Sequence, residues 1–400
     1  MAHFVGFPRD FNGNLQRALY EAIHVARLGA KVHFVVSKEV IQKNILARSI
    51  PKEYAASINL EIHPLRPFVP AGSFGWRINN LIALPANAMK LILESNNIVM
   101  HVHAPTPVTK PFSLSLIKKL TNAPMLVDLH DPWSGRPFSK SPMQLLQTGI
   151  MRYVIDNADF VVAAHTALVG LVKRINADKP VDLVPNGVDT EVFAPRPKCE
   201  PLLKEMSLDF DDRIVMFSGH LTEEKGLDTL IRAAKITSKW HSNIKFIVVG
   251  DGPIRSKIMS IVKSFGLGHW FRFAGFVEAD ILNDYLSLAD LCVCPYKSMV
   301  HYDVMQIETP MKVVQYFSMG KPVIMSRVSE ENVVKWSGGG LLIDPDNPRV
   351  LADAIVDLMR DEKSRKEMGE KGRSYVLQNL GWNHIAKRIM KIYDSLRDCR

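Results

Sequence analysis

Short apolar runs alternate along the chain with longer stretches whose apolar residues recur every three to four positions. The first half offers "AHFVGF", "KVHFVVS", "NNIVMHVHAP", "APMLVDLHD", "ADFVVAAH" and "VDLVPNG" as strands. Helix-like segments such as "NLQRALYEAIHVARLGA", stopped by Gly29, lie between them. The second half repeats the plan with "RIVMFSG", "IKFIVVGDG", "FRFAGFV", "DLCVCPY" and "KPVIMS". Strands that alternate with helices predict a parallel sheet covered on both faces. The Pro-rich, aperiodic "NGVDTEVFAPRPKCEP", near residues 186–201, reads as a linker, so the expectation is two doubly wound α/β domains. In such sheets ligands sit at the carboxyl ends of the strands.

Those strand ends carry the candidate chemistry. "SGHLTEEKGLDTLIRAA" follows an apolar run with Ser218 and Gly219, then His220, two glutamates and Lys225. A glycine that lets a ligand approach the backbone, a helix start behind it and a fixed cation suit a phosphate. The same residues also describe an ordinary helix start with a solvated lysine. "VVGDGPIRSK" has Gly250 and Gly252, but Arg255 stands where a dinucleotide fingerprint needs its third glycine. In "ETPMKVVQYFSMGKPVI", Pro310 opens a helix in whose start Lys312 and Gln315 share a face. Gly13, between two asparagines before a helix, is another anion cradle candidate. His130 ends a strand, where it is either functional or a hydrogen-bonded structural histidine. His101 and His103 share a strand face without an obvious third ligand, so no metal is assigned. Asp209–Asp212 ("DFDD") precedes a strand and reads as a turn.

Composition narrows the field. The 400 residues exceed one compact core. No segment has the roughly 18 uninterrupted apolar residues of a membrane span. "MAHFVGF" reads as a strand rather than an export leader, and the cysteines, Cys199, Cys292, Cys294 and Cys399, lack zinc-knuckle spacing. Both points lead us to expect a reducing cytoplasm. The formal charge of +9 admits an acidic partner, yet no basic run or nucleic-acid module is present, so nucleic acid is not expected. "FGWRINNLIALPANAMKLILE" predicts an unusually apolar helix broken at Pro85. It is either a core helix or, with the basic charge, a peripheral contact with an anionic membrane surface.

Five segments taken in order resemble the retaining GT-B glycosyltransferases of family four (glycosyl transferases group 1). They are "VDLVPNGVDTEVFAP", "SGHLTEEKGLDTLIRAA", "KFIVVGDGPIRSKI", "FAGFVEADILNDYLSLADLCVCPY" and "PMKVVQYFSMGKPVI". The resemblance implies two Rossmann-like doubly wound domains facing a central cleft. Residues 1–187 with the final helix 382–400 would form the acceptor side, and residues 188–381 the donor side. It implies a nucleotide-diphosphate sugar as co-substrate, a glycan, lipid-linked or small-molecule acceptor, retention of configuration, and no metal or other cofactor. By resemblance Lys225 meets the donor diphosphate, Gly219 and Gly13 approach its phosphates, Val277 meets the base and His130 lies near the reacting sugar. Three positions depart from the family pattern. His220 stands where the family often has arginine. Gln315 replaces the acid that meets the ribose. The other acid's position falls on apolar Ile307, with Glu308 beside it, and "PMKVVQY" is closest to a branch that keeps Lys312 and also lacks that acid. These departures leave two alternatives: a nucleotide-sugar-binding protein without catalysis, and a nucleotide-sugar 2-epimerase on the same fold.

Overall fold

The computed structural model describes residues 1–6, 13–42, 59–69, 75–95, 98–104, 109–130, 142–239, 243–298, 308–329 and 332–398. The chain divides into two compact units. The first comprises Met1–Gly187 with Trp382–Arg400, and the second Val188–Tyr302 with Ile307–Gly381.

The first unit is built on a seven-stranded, all-parallel sheet. Its strands are β1 (Ala2–Gly6), β2 (Val32–Ser37), β3 (Leu60–Leu65), β4 (Met100–His103), β5 (Met125–Leu129), β6 (Phe160–Ala163) and β7 (Val181–Leu183), in spatial order β3-β2-β1-β4-β5-β6-β7. The helices are α1 (Gly13–Arg27), α2 (Lys38–Gln42), α3 (Gly75–Leu81), α4 (Ala83–Glu94), α5 (Thr109–Thr121), α6 (Pro142–Asn157) and α7 (Thr166–Ile175). The strands read as continuous apolar runs because both faces are covered. On β2, Phe34 and Val36 enter one core, while Val35 enters the other. The edge strand β3 was not anticipated. Its "LEIHPL" carries a glutamate, a histidine and a proline, and a proline is tolerated at an edge.

Two local expectations change. The apolar stretch breaks at Ile82, between α3 and α4, and Pro85 sits inside the first turn of α4, where its missing N–H costs nothing. Leu84, Ala88 and Leu91 of α4 are buried, whereas Leu81, Ile82 and Leu93 face outward.

The second unit repeats the architecture with six parallel strands: β8 (Arg213–Ser218), β9 (Ile244–Val249), β10 (Phe271–Gly275), β11 (Leu291–Cys294), β12 (Val323–Ser326) and β13 (Gly340–Ile343), in order β10-β9-β8-β11-β12-β13. Its helices are α8 (Glu200–Glu205), α9 (Leu227–Thr237), α10 (Arg255–Ser264), α11 (Ala279–Leu288), α12 (Met311–Ser318), α13 (Val333–Ser337), α14 (Pro348–Arg360) and α15 (Glu362–Asn379). Ile214 and Met216 of β8 face one core and Val215 and Phe217 the other. Cys292 and Cys294 lie two apart on β11, buried in the same cluster, and burial pushes both thiols up, Cys294 to about 11 and Cys292 further still. "DFDD" forms a turn in which Asp209 N–H donates to Asp212 Oδ2 at 2.9 Å.

The last helix, α16 (Trp382–Asp398), packs on α1. Trp382 stacks on Tyr20 with ring centroids 6.2 Å apart and planes 5° from parallel. Asn383 Oδ1 lies 2.9 Å from His24 Nδ1. Trp382 is among the largest fully buried side chains, and its core neighbours Ile385, Ile389 and Tyr393 recur at helical spacing. Trp382→Ala should destabilise the first unit by about 3–5 kcal/mol, the usual cost of emptying so large a buried volume. Urea unfolding followed by hydrogen exchange in α1 and α16 measures it; an unchanged midpoint would show that α16 is not part of this core.

Candidate functional site

The second unit gathers cations around the end of β8. Ser218 closes that strand, and its N–H donates to the Tyr316 hydroxyl at 2.7 Å, with Ser218 Oγ 2.9 Å from the same hydroxyl. This buried contact fixes α12 against the strand end. Lys312 lies four residues before Tyr316 and shares its helix face. Its ammonium therefore lands beside Gly219 and 4.0 Å from the centre of the Phe217 ring. Gly219 has φ +134°, and a Cβ there would lie 2.7 Å from Lys312 Nζ, so only glycine leaves the ammonium room.

Lys312 Nζ is buried and has no hydrogen-bond partner among the described residues. Burial, reinforced by Lys225, pulls its pKa down to about 8, although Cys294 and Glu224 act the other way. The Cys294 thiol is neutral near pH 7 and supplies no countercharge. Lys225 Nζ stands 5.2 Å over the Tyr296 ring, the ring that Lys312 approaches at 5.8 Å, and 3.4 Å from Glu224 Oε1. Burial opposes charge on Glu224, but the Thr222 hydroxyl at 2.5 Å and Lys225 hold its pKa below the ordinary value.

The loop differs from expectation in one respect. A single 3-10 turn, Glu223–Lys225, precedes α9, which begins only at Leu227. The positive charge nearest Gly219 is thus Lys312, not a helix start directly behind the strand. Gly226 separates the two helices at φ +65°, where a Cβ would sit 1.7 Å from the Pro295 carbonyl oxygen.

The remaining candidates lie on neighbouring segments of the same unit. His220 is exposed beside Gly219. Gln315 is half-buried on α12, three residues beyond Lys312, and Pro310 is the residue just before that helix rather than within it. Glu308 is buried, and its carbonyl accepts from Val333 N–H at 2.8 Å. Ile307 lies outside the described residues. Val277 is half-buried against the core that holds Cys292 and Cys294. The sequence reading missed Phe217, Tyr296 and Tyr316, which position the lysines; the K-x-x-x-Y spacing of Lys312 and Tyr316 was the available signal.

The first unit holds a separate buried polar network. Gly13 begins α1, and the residues just before it lie outside the described set. His130 Nε2 is 2.8 Å from Asp128 Oδ2, while its Nδ1 has no partner among the described residues. Asp128 accepts from Arg17 Nε at 3.1 Å and Nη2 at 3.3 Å. Arg17 also reaches Glu21 Oε1 at 3.0 Å and donates to the Val184 carbonyl at 2.8 Å. His101 and His103 stack at 4.3 Å; His103 Nδ1 is 3.4 Å from Asp128 Oδ2, and His101 Nδ1 is 2.6 Å from the Tyr393 hydroxyl.

One guanidinium faces two carboxylates here, and the two titrate apart. Burial opposes charge on Asp128, but Arg17 and then His130 hold it ionised, well below the ordinary range. Burial pushes Glu21 well above its ordinary value despite Arg17. The sequence left His101 and His103 without a third ligand; the fold brings Glu21 and Asp128 within 4.8 Å of them. Arg17 already neutralises that group, so a cation would meet a fixed positive charge there. Arg17 and Glu21, two ionisable residues one turn apart inside an apolar helix face, were the missed signal.

The fold and the comparisons now identify the class of protein. The Anabaena protein Alr3699/HepE, solved in complex with UDP, superposes with a TM-score of 0.74 at 17% identity, covering 98% of this chain and 99% of that one. The fold is GT-B, that of glycosyltransferases. Residues 202–375 match the family of glycosyl transferases group 1, and residues 16–192 match glycosyltransferase family 4. The chain belongs to the group 1 glycosyltransferases. Alpha-D-kanosaminyltransferase of Streptomyces kanamyceticus is 24% identical over 87% of this chain and 92% of its own length. N-acetyl-alpha-D-glucosaminyl L-malate synthase of Bacillus anthracis is 22% identical over 94% of this chain and 92% of its own.

The buried imidazoles set a pH dependence. Burial first, and for His103 also the neighbouring His101, lowers both values below the ordinary 6.5. The folded chain keeps them neutral, while the unfolded chain takes up protons below about 6.5. Their contribution is therefore full above that pH and is lost as the pH falls. Urea midpoints measured from pH 7.5 to 5 should fall, and His103→Asn should flatten the slope. A midpoint independent of pH across that range would contradict the assignment.

Proposed function

We propose that this glycosyltransferase moves a hexosyl group from a nucleoside-diphosphate sugar to an acceptor hydroxyl with retention of configuration. The observation that carries the reading is the buried Lys312 ammonium, without a hydrogen-bond partner among the described residues, set beside Gly219 and next to Lys225. A diphosphate supplies the missing anion. When the bond from the sugar C1 to the phosphate oxygen breaks, its electron pair leaves with that oxygen, and the diphosphate gains charge. Two fixed cations stabilise that state more than the intact donor. The acceptor oxygen bonds to C1 on the face the phosphate leaves, and its proton departs to the phosphate oxygen. Both lysines supply countercharge, so the reading requires no metal.

In this reading Gln315 hydrogen-bonds a ribose hydroxyl, Val277 packs near the base, and Gly13 and His220 line the phosphates. His130 presents its unpartnered Nδ1 to the transferred sugar while Asp128 orients the ring through Nε2. Support for a uridine donor comes from the UDP bound to HepE, and for varied acceptors from the malate named in the Bacillus anthracis relative. A lipid-linked acceptor at an anionic membrane is the finer proposal. It is favoured by exposed Leu93 on α4 and Leu120 on α5, two helices that pack together, with Lys90, Lys118 and Lys119 on the same helices. No helix among the described residues is long and apolar enough to cross a membrane.

Lys225→Ala should leave the fold intact and lower turnover by on the order of a hundredfold or more. Donor turnover with product mapping by nuclear magnetic resonance tests the whole reading. We expect an axial-to-axial or equatorial-to-equatorial outcome at C1, and activity that survives a chelator. Inverted product, wild-type turnover in Lys225→Ala, or magnesium-dependent activity would each contradict it. Gln315→Glu should retain donor binding; its loss would mean that the amide donates a hydrogen bond. Vesicle co-sedimentation that rises with anionic lipid and falls with salt is the expected membrane result. No sedimentation under any condition would refute the membrane contact.

A further inference from the structure

The edge of the first sheet places three ligand-type side chains on one face. In the parallel pairing of β2 with β3, His33 sits opposite Glu61, and His63 follows Glu61 by two residues. Side chains two apart on a strand share a face. Three ligand-type atoms converge as a result, two of them joined by an imidazole–imidazole hydrogen bond whose proton a metal ion would displace. His33 Nδ1 is 2.8 Å from His63 Nε2 and 3.2 Å from Glu61 Oε2, and His63 Nε2 is 3.7 Å from that same oxygen.

We propose that His33, Glu61 and His63 form a binding site for a divalent transition-metal ion of the zinc type, outside the transfer chemistry. Bonds of about 2.0–2.1 Å at tetrahedral angles put ligand atoms roughly 3.3 Å apart, and the three observed separations straddle that value. Two imidazoles and one carboxylate are a donor set that suits zinc, cobalt or nickel rather than calcium or magnesium. Lys31 Nζ holds the other carboxylate oxygen, Glu61 Oε1, at 2.8 Å, which turns Oε2 toward the histidines.

His33 is buried, His63 half-buried and Glu61 exposed, so the fourth position opens to water. The ion would clip the edge strand β3 to β2. The other histidine-carboxylate cluster, around Asp128, carries Arg17 and is the weaker candidate for a cation.

The test uses the full chain, free of any tag, stripped with chelator and titrated with cobalt. We expect one equivalent to bind with the visible absorption of tetrahedral cobalt, displaced by zinc, and a thermal midpoint raised by roughly 2–4 °C with zinc. His63→Ala should abolish the absorption and Glu61→Gln should weaken binding at least about tenfold, with circular dichroism unchanged in both; His103→Asn should retain it. No cobalt absorption, or absorption that survives His63→Ala and disappears in His103→Asn, would overturn the proposal. Because the readout is metal binding, its failure is separable from any failure of the transfer reading.

Discussion

An ammonium group buried without a hydrogen-bond partner among the described residues governs the architecture around the end of β8. Among the described residues, Lys312 Nζ meets the faces of Phe217 and Tyr296 and the repulsion of Lys225, with Glu224 the carboxylate that acts the other way. A cation–π contact recovers a kilocalorie or two, on the order of 2 kcal/mol when desolvated. Burying an uncompensated charge costs several times more. The protein tolerates the imbalance because α12 is fixed elsewhere, at the Tyr316–Ser218 contact and in the core around Val313, Val314 and Phe317. Under the proposed function, a multiply charged anion relieves that imbalance.

The repeated parallel topology explains why the loop after β8 is the place for this. In the order β10-β9-β8-β11-β12-β13 the chain reverses direction of growth at β8, between β9 and β11. At such a point the two neighbouring connections leave on opposite faces and open a crevice. The first sheet has its corresponding reversal at β1, between β2 and β4. There the polar investment is inward. Arg17, Asp128 and Glu21 form a network in which the two carboxylates are pushed in opposite directions, and His130 hangs from it at the end of β5.

Much of the fold was legible because doubly covered strands are apolar on both faces and stand out between amphipathic helices. The strands that escaped notice were those without that signature. β3, with "LEIHPL", lies at an edge and is half-polar, and β13, with "GLLI", is four residues long. The site was legible in part. Glycine after a strand, followed by Lys225, can be read from composition and order. That Lys312 lacks a partner cannot, since it depends on Tyr316 docking at Ser218 and on a glycine whose absent side chain leaves the room. Likewise His101 and His103 were visible as a same-face pair, but Glu21 and Asp128 reach them only through packing of α1 on the sheet. His33, Glu61 and His63 meet only because β3 pairs with β2 in one register.

On the proposed reading, Lys312 meets a phosphate of the donor. With a pKa near 8, it is about half protonated at pH 8, and an anion beside it should restore the proton. Calorimetric titration with UDP at pH 8, in buffers of different ionisation enthalpy, measures this directly. We predict uptake of about half a proton per UDP bound, lost in Lys312→Met. Binding with no proton uptake, or with the same uptake in Lys312→Met, would contradict the claim.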